Sequence, residues 1–152
     1  MPKTSTALEV RPCEPEALER VIEWLPLESS RAEVRWRVLL DGSNAIAYDG
    51  DEPIAAGGFQ LVNRGVGEVW LALTPYARLR FRAVYRAILT WMQEQAAAYR
   101  IHRFQTITPA SAAPAQRLLL HLGFDYEATL KQFGADRSDW YMYAMVKGGL
   151  NE

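Results

Sequence analysis

The sequence predicts a mixed α/β domain, with antiparallel hairpins on either side of one crossover helix. Three observations carry this expectation. Apolar residues recur at helical steps in some segments, and at a period of two or continuously in others. Glycine, proline, asparagine and aspartate punctuate the boundaries between those segments. The strongest helical stripe lies between two apolar strands, as a crossover helix does, and such a connection is right-handed when its strands are parallel. The 152 residues fit one domain, spanning 1–152.

In chain order, Leu8 to Arg11 reads as a first strand, closed by Pro12. Glu14 to Leu25 reads as a helix with Leu18, Val21, Ile22 and Leu25 on one stripe. Glu14 and Glu16 in its first turn suit the helix dipole, and Pro26 ends it. A shorter helix is expected around Arg31 to Leu39. Ala45 to Tyr48 and Pro53 to Val62 are strands joined by the turn Asp49-Gly50-Asp51-Glu52. Gly57-Gly58 inside the second of these marks a bulge or another backbone passing close.

The turn Asn63-Arg64-Gly65 leads into Gly67 to Thr74, whose unbroken apolar run Val69 to Leu73 predicts a central strand covered on both faces. Pro75 stops it. From Leu79 to Tyr99, apolar Phe81, Val84, Tyr85, Ile88, Met92 and Ala96 recur at three- and four-residue steps and predict one long helix. Phe104 to Thr108 is a strand. Ser111 is expected to N-cap a helix with Pro114 in its first turn, ending at Gly123 in the left-handed conformation with Phe124 packed behind it. Tyr126 to Phe133 and Trp140 to Val146 form a closing hairpin, and 148–152 is expected to fray.

Composition narrows the function. Hydrophobic residues make up 49% and charged residues 23%, which excludes a disordered or fibrous chain. Seventeen basic against eighteen acidic side chains leave a net charge of -1, so no global basic field points to nucleic acid or an anionic membrane. The single cysteine, Cys13, cannot form an intrachain disulfide and fits a reducing compartment. His102 and His121 lack metal-ligand spacing, so no metal is expected. Met1 to Thr6 has no apolar core of a signal peptide, and no apolar run is long enough to span a bilayer. The expected address is the cytoplasm.

The junction Leu73-Thr74-Pro75-Tyr76-Ala77-Arg78-Leu79-Arg80-Phe81-Arg82-Ala83 concentrates the chemistry. A strand feeding a helix exposes backbone N–H groups at the helix start, a ready anion site. Arg78, Arg80, Arg82 and Arg86 crowd that start, and Arg78, Arg82 and Arg86, at i, i+4 spacing, share a side of the helix. A diphosphate with a further phosphate suits such a cluster better than a carboxylate. The plain alternative is a solvated basic face.

The order of elements, from Leu8 to Val146, resembles the GNAT superfamily of acyl-CoA N-acyltransferases, which implies an α/β fold with a central, mostly antiparallel sheet, one parallel, splayed strand pair and flanking helices. In that family a loop of the form Gln/Arg-x-x-Gly-x-Gly/Ala binds the coenzyme A pyrophosphate through backbone amides. Arg78-Leu79-Arg80-Phe81-Arg82-Ala83 is similar to it at the first and last positions, with Phe81 in place of the glycine. Ser111 to Phe124, followed by Asp139-Trp140-Tyr141-Met142-Tyr143, resembles the family's later segment. The resemblance implies acetyl-CoA between the strand ending at Leu73 and the splayed, parallel strand ending at Thr108. The backbone from Leu71 through Leu73 and Thr74 would hold the pantetheine and polarise the thioester, and Ser111 would join the cofactor-binding positions. The family's asparagine and its tyrosine acid align with Ala112 and Leu119. Glu68 stands where the family often places a general base. Its plain alternative is a solvent-facing residue at a strand entrance.

These expectations amount to an enzyme that moves an acetyl or similar acyl group from coenzyme A to a primary amine, on a small molecule or a protein, by direct attack. The alternative is a catalytically degenerate GNAT-fold binding or assembly protein, similar to compact bacteriophage proteins with eroded glycine loops. A homodimer is left open. His121 is expected to cap a helix end, Cys13 to be inert, and the five tryptophans to be mostly core, with Trp36 and Trp70 candidates to line an acceptor cleft. The acidic turn Asp49, Asp51 and Glu52 is expected to be solvated.

Overall fold

The computed structural model describes residues 7–40 and 42–146; the expected frayed tail lies outside them. The elements are β1 (Glu9–Pro12), α1 (Pro15–Ile22), α2 (Glu28–Arg37), β2 (Gly42–Asp49), β3 (Glu52–Asn63), β4 (Val66–Leu73), α3 (Pro75–Leu79), α4 (Phe81–Tyr99), β5 (Arg103–Pro109), α5 (Ala113–Leu122), β6 (Asp125–Leu130) and β7 (Trp140–Val146). Hydrogen-bonded neighbours run β1-β2-β3-β4-β5-β7-β6, with β4–β5 the parallel pair. The mixed sheet with flanking helices agrees with the expected fold class. The chain forms two compact units. One takes residues up to Gln60 together with Val69–Met92, the other Leu61–Glu68 and the residues from Gln93 onward.

In the first unit, Pro15 opens α1, where its missing N–H costs nothing, and Glu16 occupies the first turn. The helix is shorter than its apolar stripe because the chain tightens after Ile22: Trp24 N–H donates to Val21 and Leu25 N–H to Ile22. Its inner face, Ala17, Leu18, Val21 and Ile22, packs on Ile46, Tyr48, Ala56, Trp70 and Ala72 of the sheet, with Val34 of α2. Helix α2 begins earlier than expected, at Glu28, where Glu28 and Arg31 form an ion pair one turn apart. Gly50, at φ +65°, makes the β2–β3 turn.

The irregular register lies at Ala47/Tyr48, not at the glycines. Gly57 and Gly58 pair regularly with Ala45 and Asn44. The close approach is found at Gly58: the Trp70 indole donates to Asn44 Oδ1 at 3.2 Å, and a Cβ on residue 58 would lie 2.2 Å from that oxygen, 2.6 Å from the indole nitrogen and 2.8 Å from the backbone oxygen of Ser43.

Strand β4 corrects the expectation of two covered faces. Trp70 and Ala72 are buried, but Leu71 between them is 37% exposed. The run is apolar, yet the pleat still sends alternate side chains to opposite faces. The long helix stands as expected, from Phe81 rather than Leu79, and Arg80, at φ −122°, ψ 37°, separates it from the short α3, which was not expected.

In the second unit, β4 and β5 are in parallel register over three pairs, Val66–Arg103 to Glu68–Gln105. Strand β7 pairs with both β5 and β6, and the β6–β7 ladder is irregular between Tyr126 and Ala128. Helix α5 ends as expected at Gly123, φ +102°, with Gly123 and Phe124 N–H groups returning to Leu120 and Leu119 and Phe124 buried. Ser111 is not its cap. The helix starts after Ala112, no side chain caps it, and the exposed Ser111 lies in the preceding turn.

Gly58→Ala is expected to destabilise the protein by about 2–4 kcal/mol, because the new methyl group forces apart the Trp70–Asn44 hydrogen bond. Urea denaturation measures this, and an unchanged midpoint would mean that the pair yields freely.

Candidate functional site

The candidate site in the first unit is the passage from β4 to α4. Thr74 is buried, and both its backbone N–H (3.0 Å) and its hydroxyl (2.9 Å) donate to the carbonyl of Ile54 on β3. That double tie fixes where β4 ends and α3 begins. Pro75 then occupies the first helical position. Ala77 and Val84 pack with Leu8 and Ile54, and Leu73, Ala83 and Ile88 border them. The inner sides of α3 and α4 are therefore apolar.

The break at Arg80 changes the arginine cluster. Arg80 does not stand with the others toward solvent: its guanidinium pairs with Asp49 Oδ1 at 2.7 Å, and both side chains are at most a third exposed. The acidic turn, expected to be solvated, is so in part: Asp51 and Glu52 are exposed, Glu52 with Arg20 as ion-pair partner, whereas Asp49 is drawn in by Arg80. Arg78 sits in the last turn of α3, so the expected single face of Arg78, Arg82 and Arg86 is reduced to Arg82 and Arg86 on α4. Arg78, Arg82 and Arg86 are exposed and make no ion pair among the described residues. Leu79 beside them is 80% exposed.

Phe81 fits the apolar stripe by spacing, which places its ring in the core, and the structure overturns this. It opens α4 at 44% exposure and lies 6.3 Å, centroid to centroid, from Tyr85 one turn on. The core stripe of α4 starts at Val84 because only there does the helix reach Leu8, Ile54 and Ala77. Of the five tryptophans, expected to be mostly core, Trp70 alone is buried, hydrogen-bonded to Asn44 and not lining a cleft; Trp91 and Trp140 are partly buried and Trp24 is exposed. Trp36 is exposed on α2. Cys13 is half-buried and burial pushes its thiol up, so it is a poor nucleophile.

In the second unit, Glu68 is partly buried rather than solvent-facing, and its Oε1 accepts a hydrogen bond from Gln105 Nε2 at 3.0 Å. Gln105 Oε1 accepts from Arg103 Nε at 2.9 Å, and Arg103 grips both oxygens of Glu127 at 2.8 and 2.6 Å. The hydrogen bonds from Arg103 hold the Glu127 carboxyl below its usual range. The stabilisation from this pair is therefore complete above the ordinary carboxylate pKa and is lost as pH falls through the lowered one. Sequence reasoning missed Gln105, Arg103 and Glu127. The one local signal was that Arg103 and Gln105 alternate onto one face of β5. Among the described residues no group of acidic, histidine and cysteine side chains could hold a metal ion.

Asp49→Asn is expected to cost up to about 1 kcal/mol, and nothing further in an Arg80→Gln background. Equal losses in both backgrounds, measured by denaturant titration, would show that Asp49 acts independently of Arg80.

No protein-family model and no curated protein matches the sequence. Solved structures do match its fold. A chimera of the spermidine N-acetyltransferase SpeG from Vibrio cholerae and hSSAT superposes with a TM-score of 0.75 at 13% identity, over 97% of this chain and all of that one. The protein yncA from Salmonella typhimurium, solved with its cofactor acetyl-CoA, gives 0.69 at 16% identity over 93% and 95%. A GNAT-family protein from Desulfovibrio desulfuricans gives 0.74 at 18% identity over 93% and 99%. At these identities the likeness is one of architecture, and the chain has the GNAT acetyltransferase fold.

Proposed function

We propose that this protein is a GNAT-type N-acyltransferase that moves an acetyl or similar acyl group from coenzyme A to a primary amine. The observation that carries the proposal is the set of exposed arginines Arg78, Arg82 and Arg86, unpaired among the described residues, around the start of α4. The residues present fit an acyl-coenzyme A. The first turn of α4 offers amides without intrahelical acceptors at Arg82 and Ala83. The arginines supply countercharge for three phosphates. Exposed Leu71 supplies an apolar surface for a pantetheine arm. Strand β4 continues five residues past its register with β5, from Val69 to Leu73, so that its backbone is a candidate to bind the same arm.

Bound acetyl-CoA would supply an activated thioester, which the amine attacks directly. Glu68 is proposed as the general base, because an amine near neutral pH is mostly ammonium and cannot attack until it loses a proton. Leu119 cannot protonate the leaving thiolate, so that proton would come from solvent. Acceptor amines on small molecules are the first to try, since SpeG is a spermidine N-acetyltransferase.

Arg78→Ala combined with Arg82→Ala is expected to weaken acetyl-CoA binding by about 2–3 kcal/mol, roughly 30- to 150-fold in Kd. Calorimetric titration measures it, and unchanged affinity would remove the arginines from the site. Glu68→Gln is expected to slow transfer by roughly two to four orders of magnitude and to move the pH optimum upward. An undiminished rate with the same pH profile would remove Glu68 from the base role.

A second reading, a binding protein without turnover, draws on Phe81. Its exposed ring stands at the glycine position of the pyrophosphate loop, where bulk limits backbone approach to a phosphate. Phe81→Gly separates the two readings. It is expected to cost about 1 kcal/mol in helix propensity and the contact with Tyr85, with no gain in acetyl-CoA affinity. A variant that binds acetyl-CoA where the native protein does not would favour the second reading.

A further inference from the structure

Four side chains of the second unit form one directed chain of hydrogen bonds. Gln105 is the register partner of Glu68, so the two stand side by side on neighbouring strands. Arg103 lies two residues before Gln105 and therefore on the same face of β5. Glu127 lies within the β6 irregularity, without a register partner of its own, and its carboxylate reaches Arg103.

The direction of the chain follows from donor and acceptor counts. A guanidinium only donates and a carboxylate only accepts, whereas an amide side chain does both. Arg103 Nε at 2.9 Å therefore requires the oxygen of Gln105, which leaves the amide nitrogen facing Glu68 Oε1 at 3.0 Å. A flipped amide would set donor against donor and acceptor against acceptor. The arginine is itself held in plane by two bonds to Glu127.

We infer that Arg103 and Gln105 are positioning residues for the Glu68 carboxylate, with Glu127 as the anchor that holds Arg103 in place. The inference rests on the proposed role of Glu68 as the base. The plain alternative is that Arg103–Glu127 merely staples β6 to β5. A staple has no need of Gln105, yet Arg103 directs its third donor to the amide oxygen and thereby sets which end of the amide meets Glu68. The arrangement matters for a general base because a carboxylate must keep one orientation to receive a proton from a bound amine.

Two measurements test this. The first needs no activity: the side-chain amide of Gln105, followed by nitrogen-15 NMR, should exchange slowly in the native protein and like an exposed amide in Arg103→Met. Glu127→Gln, which keeps Arg103 and its packing, should shift the same signals less and in the same direction. The second uses acetyl transfer from acetyl-CoA to spermidine as the probe reaction. Arg103→Met and Gln105→Leu should each lower kcat about tenfold with KM for acetyl-CoA unchanged, and neither should lower it further in a Glu68→Gln background.

Unchanged Gln105 signals in Arg103→Met would overturn the inference, and so would rate losses that add to that of Glu68→Gln. If Glu68→Gln turns over normally while Arg103→Met still frees the amide, the base assignment falls and the chain of bonds is structural only. If spermidine is not turned over, the amide signals alone decide whether Arg103 orients Gln105.

Discussion

The two hydrogen bonds from Thr74 to the Ile54 carbonyl are the constraint on which the candidate site depends. They stop β4 and start α3 at a buried point, so the next dozen residues have little freedom. From there the chain must bring Ala77 and Val84 to the same apolar contact with Leu8 and Ile54. Between them the chain turns at Arg80. Asp49 accepts the Arg80 guanidinium there, which leaves Arg78 and Arg82 on either side as the solvent-facing cations. Packing thus decides which arginines remain available to a polyanion.

Much of the fold was legible because its signals are local. Pro75 at a helix start, Gly123 at a helix end, the turns at Gly50 and Gly65 and the stripes of α1 and α5 each rest on residues close in sequence. The parallel pair was implied by the family resemblance, and one crossover helix between two apolar runs accords with it. The errors share a cause. Phe81 belongs to an apolar stripe by spacing, yet it opens α4 one turn before the helix meets the core at Val84, which leaves the ring outside. Leu71 lies in a run that reads as doubly covered, but only Trp70 and Ala72 meet α1 and α2.

The same limit applies to the chemistry. Glu68 could be singled out because it begins an apolar strand at the place where the resembled family often puts a base. What holds it could not, because Gln105 and Glu127 are 37 and 59 positions away and neither type of residue is conspicuous alone. The two halves of the proposed function also differ in kind. Binding depends on charge and backbone at α3 and α4, and tolerates the loss of the loop glycine if the amides still face the phosphates. Turnover depends on one carboxylate held in one orientation. A chain could keep the first and lose the second, and that is the physical difference between the enzyme and the binding protein.

The central claim is that an acyl-coenzyme A is held at the passage from β4 to α4. Titration of nitrogen-15-labelled native protein with acetyl-CoA tests it most directly, because each backbone amide reports separately. The account predicts saturable shifts with a dissociation constant of order micromolar, largest for Leu71, Leu73, Arg82 and Ala83. Saturation without shifts in those amides, or no binding at millimolar acetyl-CoA, would contradict it.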